Sequence, residues 1–183
     1  MQIPQGFCGK DDFRVRLLSG RKHSFIDSSN YPSEEKMAKI SYTADTSWVI
    51  GVTDRIKGNK VVLVPASTDP RYTEWDFQAD GGITLHSDPT LAIDCGTVSD
   101  EQYLVLNTYV KNHASASQQW QFEPQSDDPQ SGYIENVTNS QLVFDLQWRT
   151  VAKGTPIWTY SANGSDAQIW SPVPVPQDSF IKK

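Results

Sequence analysis

Cysteine is scarce in this chain: Cys8 and Cys95 are the only two in 183 residues, too few for a disulfide framework. Cys95 follows Asp94 in an apolar run, where a buried, inert thiol is the expected state. An excess of cations is also missing. Sixteen Lys and Arg stand against 22 Asp and Glu, a formal net charge of -6, which argues against a nucleic-acid partner, since phosphate backbones call for clustered cations. No apolar run approaches the roughly 18 residues of a membrane span. The stretch Met1 to Phe7 has neither a basic nor an apolar signal region, so no secretory signal is expected and a cytoplasmic or unconventionally exported protein is. On that reading Asn136-Val-Thr138 and Asn163-Gly-Ser165, glycosylation acceptors in form, carry no weight. The histidines are His23, His86 and His113, with no His-Glu-x-x-His, no Gly-x-Ser-x-Gly and no glycine-rich phosphate loop. No metal site, no cofactor and no catalytic residue is therefore expected.

What the chain does have is a repeat, and a fixed-period self-match outranks any local propensity. Ile83 to Asp94 (ITLHSDPTLAID) lies over Ile134 to Asp145 (IENVTNSQLVFD) without a gap. Ile40 to Gly51 (ISYTADTSWVIG) fits the same frame, with Gly51 in place of the Asp. A closing tryptophan follows each time. Trp75 stands 25 residues after Ile50, Trp120 27 after Ile93 and Trp170 26 after Phe144. Gln118 and Gln168 precede the last two by two positions, whereas Thr73 stands in the first unit. These tryptophans are read as core, one per unit, and the two glutamines as ties to nearby backbone, because a buried amide must be paired.

Each unit supplies about four short strands of alternating apolar and polar residues. Three such units predict an all-β chain, a β-trefoil of three four-stranded lobes forming a closed barrel with a hairpin cap. Closure removes the sheet edges that invite aggregation. The expected boundaries are an N-terminal extension over 1–37, a trefoil domain over 38–172 with lobes about 38–79, 80–125 and 130–172, and a proline-rich tail over 173–183. Two threadings compete for lobe one. Either 38–78 form it and 13–27 make a separate hairpin, or 13–27 supply its first two strands and 28–60 are inserted; the first copies the spacing of the other lobes. Pro172, Pro174 and Pro176 alternate in an extended run that cannot donate to a ladder, so the domain is expected to end there.

Leu142-Val-Phe-Asp145, Gly154-Thr-Pro156, Tyr160 and Gln168-Ile-Trp170 resemble the ricin B-chain-like lectins, β-trefoil carbohydrate-binding proteins with Gln-x-Trp repeats. The likeness is specific in lobe three, good in lobe two and weak in lobe one, and is greatest to the cytoplasmic fungal lectins of that group. It implies recognition of galactose or N-acetylgalactosamine on glycoproteins or glycolipids: an aromatic ring covers the sugar's C–H face while a carboxylate accepts from vicinal hydroxyls. In lobe three these are Asp145 and Tyr160, with Asn163 beyond; in lobe two Asp94, Tyr109 and Asn112 repeat the intervals of 15 and 18 residues. Asn107 and Trp158, two before the ring, and Trp148 are further candidate contacts. The family's Asn before Gln-x-Trp is absent, Ser117 and Ala167 standing there. Lobe one, with Gly51 and a ringless Val64-Pro65, is expected to be silent. A shallow one-sugar site binds near millimolar, about 4 kcal/mol, so two sites, and a homodimer that doubles them, would supply avidity.

Readings from other classes stand beside this one. Asp after an apolar strand is often only a turn acceptor, and a Tyr at a strand end often only packs. Asp94 and Asp145 occupy equivalent places in different lobes, too far apart for paired-carboxylate hydrolysis, so an enzyme is not expected. A trefoil protease inhibitor or protein-binding module would act through an exposed loop, and 66–73 offers Arg71.

Overall fold

The computed structural model describes residues 36–176; the expected 13–27 hairpin and residues 177–183 lie outside them. The described residues form twelve strands and no α-helix, four strands to a lobe. Lobe one holds β1 (Lys36–Tyr42), β2 (Trp48–Val52), β3 (Val61–Pro65) and β4 (Trp75–Phe77). Lobe two holds β5 (Ile83–Leu85), β6 (Asp88–Asp94), β7 (Val105–Thr108) and β8 (Trp120–Pro124). Lobe three holds β9 (Gly132–Asn136), β10 (Leu142–Leu146), β11 (Ile157–Ser161) and β12 (Trp170–Pro174). The fold is a β-trefoil. Its second and third strands pair in each lobe as an antiparallel hairpin, and single bridges tie neighbouring hairpins together at Lys60–Val105, Val62–Pro156 and Tyr103–Trp158.

The barrel differs from the closed ring expected. The ladders between lobes are continuous: β4 with β5, β8 with β9 and β12 with β1. Those between the first and fourth strands of one lobe are thin. Strands β1 and β4 share three pairs, β9 and β12 one, and no ladder joins β5 to β8. There a single bond from the Trp120 N–H to the Gly81 carbonyl, 2.9 Å, closes the gap. The cause is local, since β5 has only three residues, shifts register between Thr84 and Leu85, and is entered from Gly81 at φ +89°.

The proline run is a second correction. Strand β12 continues to Pro174, pairing Pro172 with Ile40 and Pro174 with Ala38. Alternation reconciles this with proline's missing N–H: Val175 donates to the Met37 carbonyl at 3.0 Å, and residues of the same parity face β1, leaving the prolines to point away from it.

The core explains the repeat. Trp75, Trp120 and Trp170 are buried, and each indole N–H crosses the core to a backbone carbonyl, Ile50 at 3.1 Å, Ile93 at 3.0 Å and Phe144 at 3.0 Å. Those carbonyls belong to the residues directly before Gly51, Asp94 and Asp145. Each tryptophan thus pins the peptide that carries its lobe's candidate position. Gln118 and Gln168 donate to the Thr108 and Ser161 carbonyls, both at 3.0 Å, tying the far end of each hairpin to the tryptophan strand. Asn136 is fully buried, donating to Ala116 and Gln119 and accepting from the Thr138 and Asn139 amides, so it is a structural joint and no glycan acceptor. Cys95 is also buried, which pushes its thiol up to about 12 and keeps it unreactive at neutral pH.

Candidate functional site

The largest concentration of candidate residues is a cleft of about 400 Å³ on lobe three, lined by Asp145, Trp148, Trp158, Tyr160 and Asn163 together with Glu101 and Arg149. Strand register builds it. Asp145 on β10 lies directly opposite Trp158 on β11, and Tyr160 lies opposite Val143, one same-face step away. Asp145 is only 6% exposed. Its Oδ1 accepts from the Trp158 indole N–H at 2.8 Å, and the Trp158 and Tyr160 rings stack at 5.4 Å with 26° between planes. Burial pushes the Asp145 carboxyl above its ordinary range, against the opposing effects of the Trp158 and Gln168 hydrogen bonds and the Arg149 charge. A carboxylate partly stripped of water, beside two rings, fits a ligand that brings both hydroxyl donors and an apolar face.

The rim is backbone under strain. Four described residues other than glycine have φ in the left-handed region: Glu101 at 59°, Asn112 at 62°, Trp148 at 58° and Arg149 at 56°. Three of them line this cleft. Such conformations cost about 1–3 kcal/mol each and cluster at binding sites. The short 3₁₀ turn Gln147–Arg149 carries two in succession and leaves the Trp148 side chain 77% exposed. Asn163 also lines the cleft, its N–H donating to Gln168 Oε1 at 2.8 Å and its Oδ1 accepting from the Ser165 amide at 3.0 Å.

Lobe two repeats the residues but not the geometry. Asp94 is buried, and its carboxylate accepts from the Gly96 amide and from Asn107 Nδ2 at 2.9 Å, so Asp94 and Asn107 do meet. The ring does not join them. Asp94 pairs with Val105 rather than with Asn107, a register two residues different from that of lobe three. Tyr109 therefore lies opposite Thr90, its amide donating to the Thr90 carbonyl, one same-face step, roughly 7 Å, farther along the ladder. It is 7% exposed, packs against Gly82, and donates its hydroxyl to Asp80 Oδ1 at 2.9 Å. Burial raises the Asp80 carboxyl, but hydrogen bonds from the Ala114 and Gly82 amides and the Tyr109 hydroxyl outweigh it and hold it below the usual carboxylate range. The equal spacing of 15 thus predicted a ring beside Asp94 that the register carries away, and Asn112 lies exposed on the following turn.

Lobe one has no room for a carboxylate. A Cβ on Gly51 would lie 2.7 Å from Val64 Cγ2 and 2.8 Å from the Tyr72 carbonyl. Gly51→Asp is accordingly expected to create no binding site in lobe one and to cost about 1–3 kcal/mol by overpacking; a thermal melt with a binding-stoichiometry titration checks both. In the 66–73 loop Arg71 folds back onto Asp69, with Nη2 2.8 Å from Oδ2, so its guanidinium is already engaged.

Glu101 and Arg149 were not among the expected site residues. Glu101 arrives from lobe two, its N–H donating to the Thr159 carbonyl at 2.8 Å, and nothing local in the sequence marks an inter-lobe contact.

No protein-family model matches the chain, and no curated protein sequence matches it significantly. Solved structures do. A mosquitocidal holotoxin superposes with a TM-score of 0.67 at 19% identity over 78% of this chain, which spans 18% of the toxin's length. The C-terminal half of an earthworm R-type lectin, in complex with GalNAc, gives 0.62 at 14% identity over 76% of this chain and 99% of its own. The Macrolepiota procera ricin B-like lectin, in complex with lactose, gives 0.60 at 18% identity over 76% and 96%. At these identities the likeness establishes the β-trefoil fold.

Proposed function

We propose that this chain is a carbohydrate-binding protein whose principal site is the lobe-three cleft, with galactose- or N-acetylgalactosamine-type residues as its ligands. The observation that carries the reading is the buried Asp145 carboxylate held beside the stacked Trp158–Tyr160 pair. The carboxylate accepts from vicinal sugar hydroxyls, each such bond to a charged group contributing about 1.5–3 kcal/mol. Tyr160 and the exposed Trp148 offer ring faces to the apolar side of the sugar, and Asn163 and Arg149 reach its rim. That two similar folds were solved with GalNAc and with lactose supports the choice of sugar class. Lobe two keeps the carboxylate and an amide in Asp94 and Asn107 but lacks the ring, and it acts as a weaker, secondary site. Multivalent display on a glycoprotein would lift a millimolar single-site affinity into a useful range.

A glycan array with the wild type, Asp94→Ala, Asp145→Ala and the double variant tests this. Binding should concentrate on galactose- and N-acetylgalactosamine-terminated glycans, survive largely in Asp94→Ala, fall most in Asp145→Ala and vanish in the double variant. Silence across the array, together with tight inhibition in a protease panel, would overturn the reading in favour of an inhibitor.

A further inference from the structure

A second cleft of about 340 Å³ adjoins the first, lined by Tyr103, Gln147, Trp148, Thr150, Thr155 and Pro156. Trp148 lines both. We propose that the second cleft is a saccharide subsite, so that the ligand is a neutral oligosaccharide whose chain crosses Trp148 from the Asp145 cleft. The proposal rests on the carbohydrate reading above and extends it.

Three observations support it. The wall common to the two clefts is an indole 77% exposed, held out by a left-handed backbone, and an exposed aromatic edge between two hollows suits successive sugar rings, each with an apolar face. The second cleft is dressed for hydroxyl recognition: the Tyr103 phenol, the Gln147 amide and the side chains of Thr150 and Thr155 surround it, and Gln147 Nε2 already donates to the Tyr103 hydroxyl at 3.1 Å. No lining side chain bears a formal charge, and the nearby Lys60 ammonium is stationed over the Tyr103 ring at 3.6 Å, a cation–π contact. A neutral residue therefore fits better than an acidic one. The position is inter-lobe, since Tyr103 belongs to lobe two and bridges to Trp158, which explains why a repeat-by-repeat comparison of the sequence does not find it.

Calorimetric titration with methyl glycosides of galactose and N-acetylgalactosamine, then with di- and tetrasaccharides ending in the same sugars, tests the subsite. The wild type should bind the longer ligands about tenfold more tightly than the methyl glycosides. Tyr103→Ala and, separately, Gln147→Ala should erase most of that gain, about five- to tenfold, while leaving methyl-glycoside affinity and melting temperature unchanged. Two variants guard against one of them disturbing the fold. Equal affinity for short and long ligands, or a gain that survives both substitutions, overturns the subsite and leaves the primary site standing. Failure of the wild type to bind any of these ligands removes the primary reading and the subsite with it.

Discussion

Asp145→Asn should abolish sugar capture at the lobe-three cleft and at the same time raise thermal stability at neutral pH. The two effects share one cause. Burial holds the Asp145 carboxyl above its ordinary range, and the Trp158 hydrogen bond only partly opposes that shift, so the ionised form is less comfortable in the folded chain than in the unfolded one. An acid with a raised folded-state pKa contributes stability that is present below its unfolded value and is lost as pH rises through the folded value. At pH 7 that stability is gone. Asn keeps the shape and an oxygen for the Trp158 N–H without the charge, and so removes the cost. It cannot replace a carboxylate that accepts from two hydroxyls. Loss of even one charge-assisted bond, about 1.5–3 kcal/mol, weakens a millimolar site beyond detection. The pH profile separates this from a merely structural role. Wild-type binding should fall on acidification with a midpoint above that of an ordinary aspartate, while the residue's own effect on stability runs the opposite way. Titration calorimetry and melts from pH 4 to 7 read both. An Asn variant that still binds would remove Asp145 from the site.

Much of this was legible because the repeat is a packing rule. Trp75, Trp120 and Trp170 recur at nearly constant distance from the apolar run because each indole must reach one carbonyl across the barrel, and that geometry leaves its trace in residue counts. Strand alternation and the three lobes followed from the same spacing, whereas Asp145, Tyr160 and Asn163, which line one cleft, were picked out by the family resemblance. Register did not. A two-residue slip between β6 and β7 leaves the interval from Asp94 to Tyr109 untouched in the chain yet moves the ring to Asp80. Side chains that arrive from a neighbouring lobe, such as Glu101 and Tyr103, were hidden for a similar reason, since a repeat compared with itself contains no inter-lobe contacts. The open β5–β8 edge and the paired prolines of β12 depend on which way individual N–H groups point, and residue type alone does not say.

Trp170 should matter more than its distance from any ligand suggests. Truncation to Ala empties a fully buried site, at about 3–5 kcal/mol, out of the roughly 5–15 kcal/mol that holds a domain of this kind folded. The more telling variant is Trp170→Phe, which keeps most of the volume but removes the N–H that the Phe144 carbonyl accepts at 3.0 Å. A buried acceptor deprived of its donor costs about 1–3 kcal/mol. The same peptide unit continues into Asp145, so its loosening shifts the carboxylate against Trp158 and Tyr160. Trp75→Phe is the matched control. Trp75 makes the equivalent bond to the Ile50 carbonyl, 3.1 Å, ahead of Gly51, which stands where the other lobes carry Asp94 and Asp145. Both phenylalanine variants should lose similar stability in denaturant melts, but only Trp170→Phe should weaken binding of galactose-type ligands under conditions where both are fully folded. Equal affinities in the two variants would mean that the core tryptophan holds up the lobe without steering its site.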